Sequence, residues 1–320
     1  MAKGARSAPP ETKASSAPPE TRPEAQTKLG APEARPRARS PKERSDAGEP
    51  RQTGGFVLFV EFVVRTSAKP SSPPIRREPA VKDALAAFYH RHRVRRPATP
   101  PATAQDPVKL VCFDMDGVLI DVGSSWVMVH KHFGVQNEAS LRAYLNGEFD
   151  DREFIRRDAS LWLKLKPKIR RTDFEAIFRV PPFMPGVQET VAALRAFGIE
   201  LAIVSGGVDV MAEEVARRLG IRHVAANGFV YDDEGHITGE GVVRTPLNDK
   251  AAPVVRFAQE LGVHLANVAC VGNSLPDVSM FEVAGRSIAF HPEDDYTRQH
   301  ATWTIEEGPL DQIVPLLNLR

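Results

Sequence analysis

The stretch FDMDGVLID, residues 113–121, closes the apolar run VKLVCF (108–113) with two carboxylates, Asp114 and Asp116, followed by Gly117. A short apolar run ending in a glycine turn reads as a buried strand. Both acids therefore stand at its C-terminal lip, where Gly117 permits a tight turn. Two carboxylates one residue apart are costly there unless a cation or a proton compensates them. A DxD pair alone is equally compatible with a solvated loop, so its meaning depends on what the rest of the chain brings to the same edge.

Working outward, IELAIV (199–204), NVACV (267–271) and SIAF (287–290) repeat the short apolar pattern, and segments of helical spacing separate them. That alternation predicts an α/β fold, a Rossmann-like doubly wound parallel sheet. FVYDDEGHITGEGVV (229–243) reads as a β-hairpin near one sheet edge. Residues 124–180 interrupt the alternation with four successive helical patterns, SWVMVHKHF, EASLRAYL, DREFIRRDASLWLKL and TDFEAIF. They predict a small helical cap, at about 122–182, inserted after the first strand. There it would lie over the C-terminal strand ends, where open α/β sheets bind ligands.

The 320 residues are uneven in composition. Residues 1–107 hold 17 of the 27 prolines and 20 Lys/Arg against 11 Asp/Glu, whereas 108–320 hold 22 against 30. The near-neutral total hides a basic arm on an acidic body. The expected organisation is a low-complexity arm over 1–107, mostly disordered, and a folded α/β domain over 108–320. Within the arm, GFVLFVEFVV (55–64) is strand-prone, and VKDALAAFYHRHRVRR (81–96) has the pattern of a basic amphipathic helix. That helix could touch nucleic acid or an anionic membrane face, or serve as a solvated linker.

Several functional classes are excluded. The two cysteines, Cys112 and Cys270, sit singly in apolar strands and suggest neither a disulfide framework nor a zinc site. No apolar run reaches the roughly 20 residues of a membrane span, and no secretory signal is evident, so the cytoplasm is the expected compartment. The nine histidines show no triad or metal spacing.

Chemistry gathers instead at the strand ends. After the second strand comes SGG (205–207), a hydroxyl and backbone N–H groups that can cradle an anion. Lys250 opens a later helix, and the fourth strand ends in GNSLPD (272–277), with Asp277 again at the carboxyl edge. Taken in order, DMDGVL, Ser-Gly, Lys and a terminal acid resemble the haloacid dehalogenase superfamily over about residues 108–310. The cap, the SGG turn, the hairpin and VSMFEVAGRSIAF resemble its phosphoserine phosphatase-like group.

That resemblance implies a Mg²⁺-dependent phosphomonoester hydrolase working through an aspartyl phosphate, with O-phosphoserine as the leading substrate. Asp114 would be the nucleophile and Asp116 the general acid and base. Ser205, Gly206 and Lys250 would hold the phosphate, and Arg157 the substrate carboxylate. Asp114, Asp116, Asn273 and Asp277 would form the metal corner. Two positions depart from the pattern. Asn273 and Pro276 stand in a loop that commonly reads GDGxND or GDSxxD, which predicts weaker cation binding. Gly123 stands where phosphoserine-reading relatives carry a glutamate for the substrate ammonium. Another small phosphometabolite, or a catalytically weakened binder of one, is the alternative.

Overall fold

The computed structural model describes residues 79–103, 106–179 and 181–319. The expected strand at 55–64 and the rest of the arm before residue 79 lie outside them. In chain order the elements are α1 (Pro79–His92), β1 (Leu110–Phe113), α2 (Ser125–Phe133), α3 (Glu138–Leu145), α4 (Asp151–Leu165) and α5 (Arg171–Ile177). Then come α6 (Val187–Ala196), β2 (Glu200–Val208), α7 (Asp209–Leu219), β3 (His223–Tyr231), β4 (Ile237–Val242) and α8 (Ala251–Glu260). β5 (Val268–Gly272), α9 (Val278–Val283), β6 (Arg286–Phe290), α10 (Asp295–His300) and β7 (Trp303–Ile305) follow, and a 3-10 helix at Leu310–Leu316 comes after them.

The seven strands form one sheet in the order β4-β3-β2-β1-β5-β6-β7. All neighbours are parallel except β3 and β4, the hairpin at one edge. β1 is central because LVCF is apolar on both faces, and all four residues are buried. Burying such side chains contributes about 1.5–3 kcal/mol each, which fixes the strand in the middle of the sheet. Cys112 and Cys270 face each other across β1 and β5 as free thiols. Burial holds the Cys270 thiol well above its ordinary pKa, so it stays protonated and inert.

Register places the functional edge. Phe113 pairs with Ile203 on one side and Val271 on the other, and the Asp114 N–H donates to the Val271 carbonyl at 2.9 Å. β1 and β5 therefore end within a residue of this level, while β2 runs on beyond it. α2 to α5 follow β1, as the insertion pattern predicts. α2 is capped by the Ser124 hydroxyl and stopped by Gly134 in the left-handed region; α4 is capped by Asp150. Trp162, wholly buried, stacks with Trp126 and Phe133 and meets Phe174 and Phe229 edge-on, so the inserted helices share a core with the hairpin strand β3.

Three features depart from the sequence reading. β2 runs on through Ser205–Val208, with a register shift against β3, where a free turn was expected. β7 was not foreseen. The third is the end of the expected arm. α1 stops at His92, and residues 93–103 continue as an extended strap on the folded body. Tyr89 is buried against the core beside β5 and α8, and Phe88 packs on Tyr144 of α3 with ring centroids 4.7 Å apart. Two aromatics in a basic, Ala-rich segment supply the burial that its charge pattern concealed. Among the described residues no helix is long and apolar enough to cross a membrane.

Candidate active site

Asp114, one residue beyond β1, is 5% exposed, and Lys250 and Asp277 are 2% and 0% exposed. The Lys250 Nζ lies 3.0 Å from Asp114 Oδ1 and 2.5 Å from Asp277 Oδ1, bridging two strand ends. Burial and then the Asp277 charge push the Asp114 carboxyl up to about 7, with Lys250 opposing. Burial works against the Lys250 ammonium, yet Asp114 and Asp277 outweigh it and hold its pKa above the ordinary value. Asp114 Oδ1 also accepts the Met115 N–H at 2.7 Å, while Oδ2 takes no hydrogen bond from the described residues. One oxygen is thus anchored and the other is left unengaged among the described residues.

Asp116 stands on the turn that Gly117 closes at φ +76°, a conformation that excludes most side chains. Its Oδ2 accepts both the Ser125 N–H and the Ser125 hydroxyl at 2.9 Å. Its Oδ1 is buried with no hydrogen-bond partner among the described residues. Burial pushes this carboxyl up to about 6 against the Ser125 bonds, and the Glu293 charge adds to the rise. An orphaned, buried carboxylate oxygen calls for a proton or a cation. Ser125 also accepts the Val208 N–H at 3.0 Å, tying β2 to the first helix of the cap.

Ser205 and Gly206 occupy the end of β2 on the neighbouring strand. The Ser205 Oγ accepts the Gly207 N–H at 3.0 Å, which leaves the hydroxyl proton to donate elsewhere. The Gly206 carbonyl is held by the Trp126 indole at 2.9 Å and the Asn227 amide at 3.3 Å. The strand end is therefore clamped from the cap and from β3.

GNSLPD folds as a short 3-10 turn with Ser274 at its N-cap. Asp277 Oδ2 accepts from the Asn273 N–H, the Ser274 N–H and the Ser274 hydroxyl at 2.9, 2.9 and 3.1 Å. With Oδ1 on Lys250, both oxygens of Asp277 are engaged in building the loop. The Asn273 side chain packs on Gly117, its amide beside the DxD turn. Among the described residues no group of three or more His, Cys, Asp or Glu side chains is arranged to hold a metal by itself. The residues nevertheless fit a hard cation: the Asp114 carboxylate, the Asp116 backbone carbonyl and the Asn273 amide oxygen are all hard oxygen donors, and such ions keep several ligands from water and phosphate.

The set expected from sequence falls into two groups. Asp114, Lys250 and Asp277 share one cluster; the Asp116 turn meets Asn273 at Gly117, and Ser125 joins Asp116 to the end of β2. Arg157 is engaged elsewhere, on an exposed face of α4, donating to Glu153 at 2.8 Å with its guanidinium 3.9 Å from the Phe149 ring centroid. Arg156 shares Glu153. Gly123 lies in the loop just before α2. Ser125, Asn227 and Glu293 went unnoticed in the sequence. The Ser-Ser pair after the DxD turn was the available signal for Ser125; Asn227 and Glu293 reach the site only through tertiary contacts.

A family model for haloacid dehalogenase-like hydrolases matches residues 111–282, which contain all of these groups but Glu293. The chain belongs to that family. Relatives within it include a phosphoserine phosphatase of Methanocaldococcus jannaschii, 32% identical over 210 residues, covering 64% of this chain and 96% of the relative. A second, from Albidiferax ferrireducens, is 30% identical over 230 residues, with 68% and 92% covered. A solved phosphoserine phosphatase, a phospho-aspartyl intermediate analogue, is 26% identical and superposes with a TM-score of 0.55 over 66% of this chain and 99% of its own. This haloacid dehalogenase-like hydrolase is accordingly a phosphoric monoester hydrolase of phosphoserine phosphatase-like type. Phosphoserine phosphatases of the family generally depend on a divalent metal.

Proposed function

We propose that the enzyme hydrolyses O-phosphoserine or a closely similar small phosphomonoester through a phosphoryl group carried on Asp114. The observation that carries this reading is the buried bridge of Lys250 between Asp114 and Asp277, beside an Asp116 with one unpartnered oxygen. The open Asp114 Oδ2 attacks phosphorus as the ester oxygen departs, forming the acyl phosphate. Asp116, with its pKa raised to about 6, holds a proton for the leaving alkoxide and then takes one from the water that attacks the aspartyl phosphate. The Ser205 hydroxyl and the Gly206 N–H bind phosphate oxygens, and Lys250 balances the charge on nucleophile and phosphoryl group.

Mg²⁺, held by the Asp114 carboxylate, the Asp116 backbone carbonyl and the Asn273 side-chain oxygen, would supply charge neutralisation at the phosphate. Asp277 orients Lys250 and the loop. For the substrate's own groups, Arg157 is the carboxylate-binding candidate once it leaves Glu153, and Gly123 leaves the ammonium group without a counter-charge at that position. Discrimination in favour of an amino acid phosphate is therefore expected to be modest.

The test is turnover of O-phosphoserine and of other small esters in millimolar Mg²⁺ by the wild type and by Asp114→Asn. The reading expects hydrolysis by the wild type and loss of at least about a thousand-fold in the folded variant, since no other group replaces the nucleophile. Binding of the esters without turnover would instead favour a phosphometabolite-binding protein, the alternative that Asn273 motivates.

A further inference from the structure

The strap over residues 93–103 grips both elements that deliver the buried bridge. On the side of Lys250, the Val94 N–H donates to the Asn248 carbonyl at 3.0 Å and the Asn248 amide returns to the His92 carbonyl at 3.0 Å. Arg96 closes a two-pronged pair on the next residue, Nε to Asp249 Oδ1 at 3.1 Å and Nη2 to Oδ2 at 2.6 Å. Asp249 is buried and immediately precedes Lys250. On the side of Asp277, Arg93 pairs with Glu282 of α9 at 2.7 Å, and Thr99 bonds the carbonyls of Glu282 and Val283 at 3.0 and 2.7 Å. Every strap residue in these contacts precedes residue 111, where the family match begins.

Lysine is a point charge on a flexible stem, and its placement depends on where its backbone is held. A buried Asp249 without Arg96 would be an uncompensated charge, and the turn would move to hydrate it. Guanidinium suits the task because its planar fork fixes both carboxylate oxygens and so the orientation of the turn.

We propose that Arg96 is a positioning residue for the phosphatase reaction, fixing through Asp249 the turn that sets Lys250 between Asp114 and Asp277. The N-terminal strap is thereby part of the active-site scaffold. This rests on the functional reading above.

The test uses the full chain and the variants Arg96→Gln and Arg96→Lys, with Arg95→Gln, an exposed neighbour, as control. Turnover of O-phosphoserine and para-nitrophenyl phosphate at saturating Mg²⁺ is read together with amide hydrogen exchange over residues 248–252. The expected result for Arg96→Gln is kcat lower by roughly ten-fold with KM within about two-fold, the signature of lost alignment. Arg96→Lys recovers part of kcat, Arg95→Gln matches the wild type, and exchange over 248–252 quickens only in the Arg96 variants. Adding Asp249→Asn to Arg96→Gln costs nothing further, because both act through one pair.

Wild-type kcat and exchange in Arg96→Gln would overturn the proposal, as would a rise in KM at constant kcat or an equal loss in Arg95→Gln. Should Arg96→Gln fail to fold, Arg96→Lys carries the same comparison. A wild type that turns over no ester refutes the functional reading, and exchange over 248–252 then decides alone whether Arg96 fixes the turn.

Discussion

At the scale of single residues, the site is a problem of charge. Two buried carboxylates, Asp114 and Asp277, flank one ammonium, Lys250, with the half-buried Asp116 nearby, and burial first, then neighbouring negative charge, raises the pKa values of Asp114 and Asp116. Because their folded-state pKa values lie above the ordinary carboxylate range, the native state binds more protons than the unfolded chain. The stability they contribute is complete below about pH 4, the ordinary value, and is lost as pH rises through 6 and 7. Chelator-treated wild type should therefore lose several degrees more of Tm between pH 5 and pH 8 than Asp114→Asn does, with added Mg²⁺ restoring part of the difference at pH 8. Parallel melting profiles for the two proteins would contradict this. Asn273 belongs to the same balance: it offers an oxygen without charge. Asn273→Asp should tighten Mg²⁺ binding by about ten-fold, measured by titration calorimetry, because one more carboxylate faces the cation. Unchanged affinity would mean that position 273 lies outside the cation's reach.

At the scale of elements, the parallel register makes the site. The DxD turn, the end of β2 and the GNSLPD turn meet because Phe113, Ile203 and Val271 are level in adjacent strands. Gly272, the last residue of β5, lets Asp277 fold back over the strand end, and a Cβ there would collide with the Asp277 side chain. Gly272→Ala should thus displace Asp277 from Lys250 and lower kcat by about a hundred-fold while β5 stays paired, a loss of the size alignment errors produce. Wild-type turnover in that variant would separate Asp277 from catalysis. The sequence discloses this level well. Apolar runs mark β1, β2, β5 and β6, helical spacing marks α2 to α5, and the chemical residues fall at strand ends. What it conceals follows from short or bland segments. β7 has three residues, and the first half of β3, HVAAN, is too small and polar to announce a strand.

At the scale of the whole molecule, the strap and cap tie distant parts of the chain to the same edge. Phe88 meets the cap at Tyr144, and Arg96 meets Asp249 across 153 positions of sequence. Such contacts leave no local pattern, which is why charge and proline content pointed to an arm throughout 1–107. The proposed nucleophile, by contrast, was singled out from four residues, DMDG, once Ser205, Lys250 and Asp277 followed at later positions along the chain. The most direct measurement is therefore of the covalent intermediate. Enzyme quenched in acid during turnover of a radiolabelled phosphomonoester should carry the label, mapping to the peptide that contains Asp114, and Asp114→Asn should carry none. Label on another residue, or steady turnover by Asp114→Asn, would contradict the account.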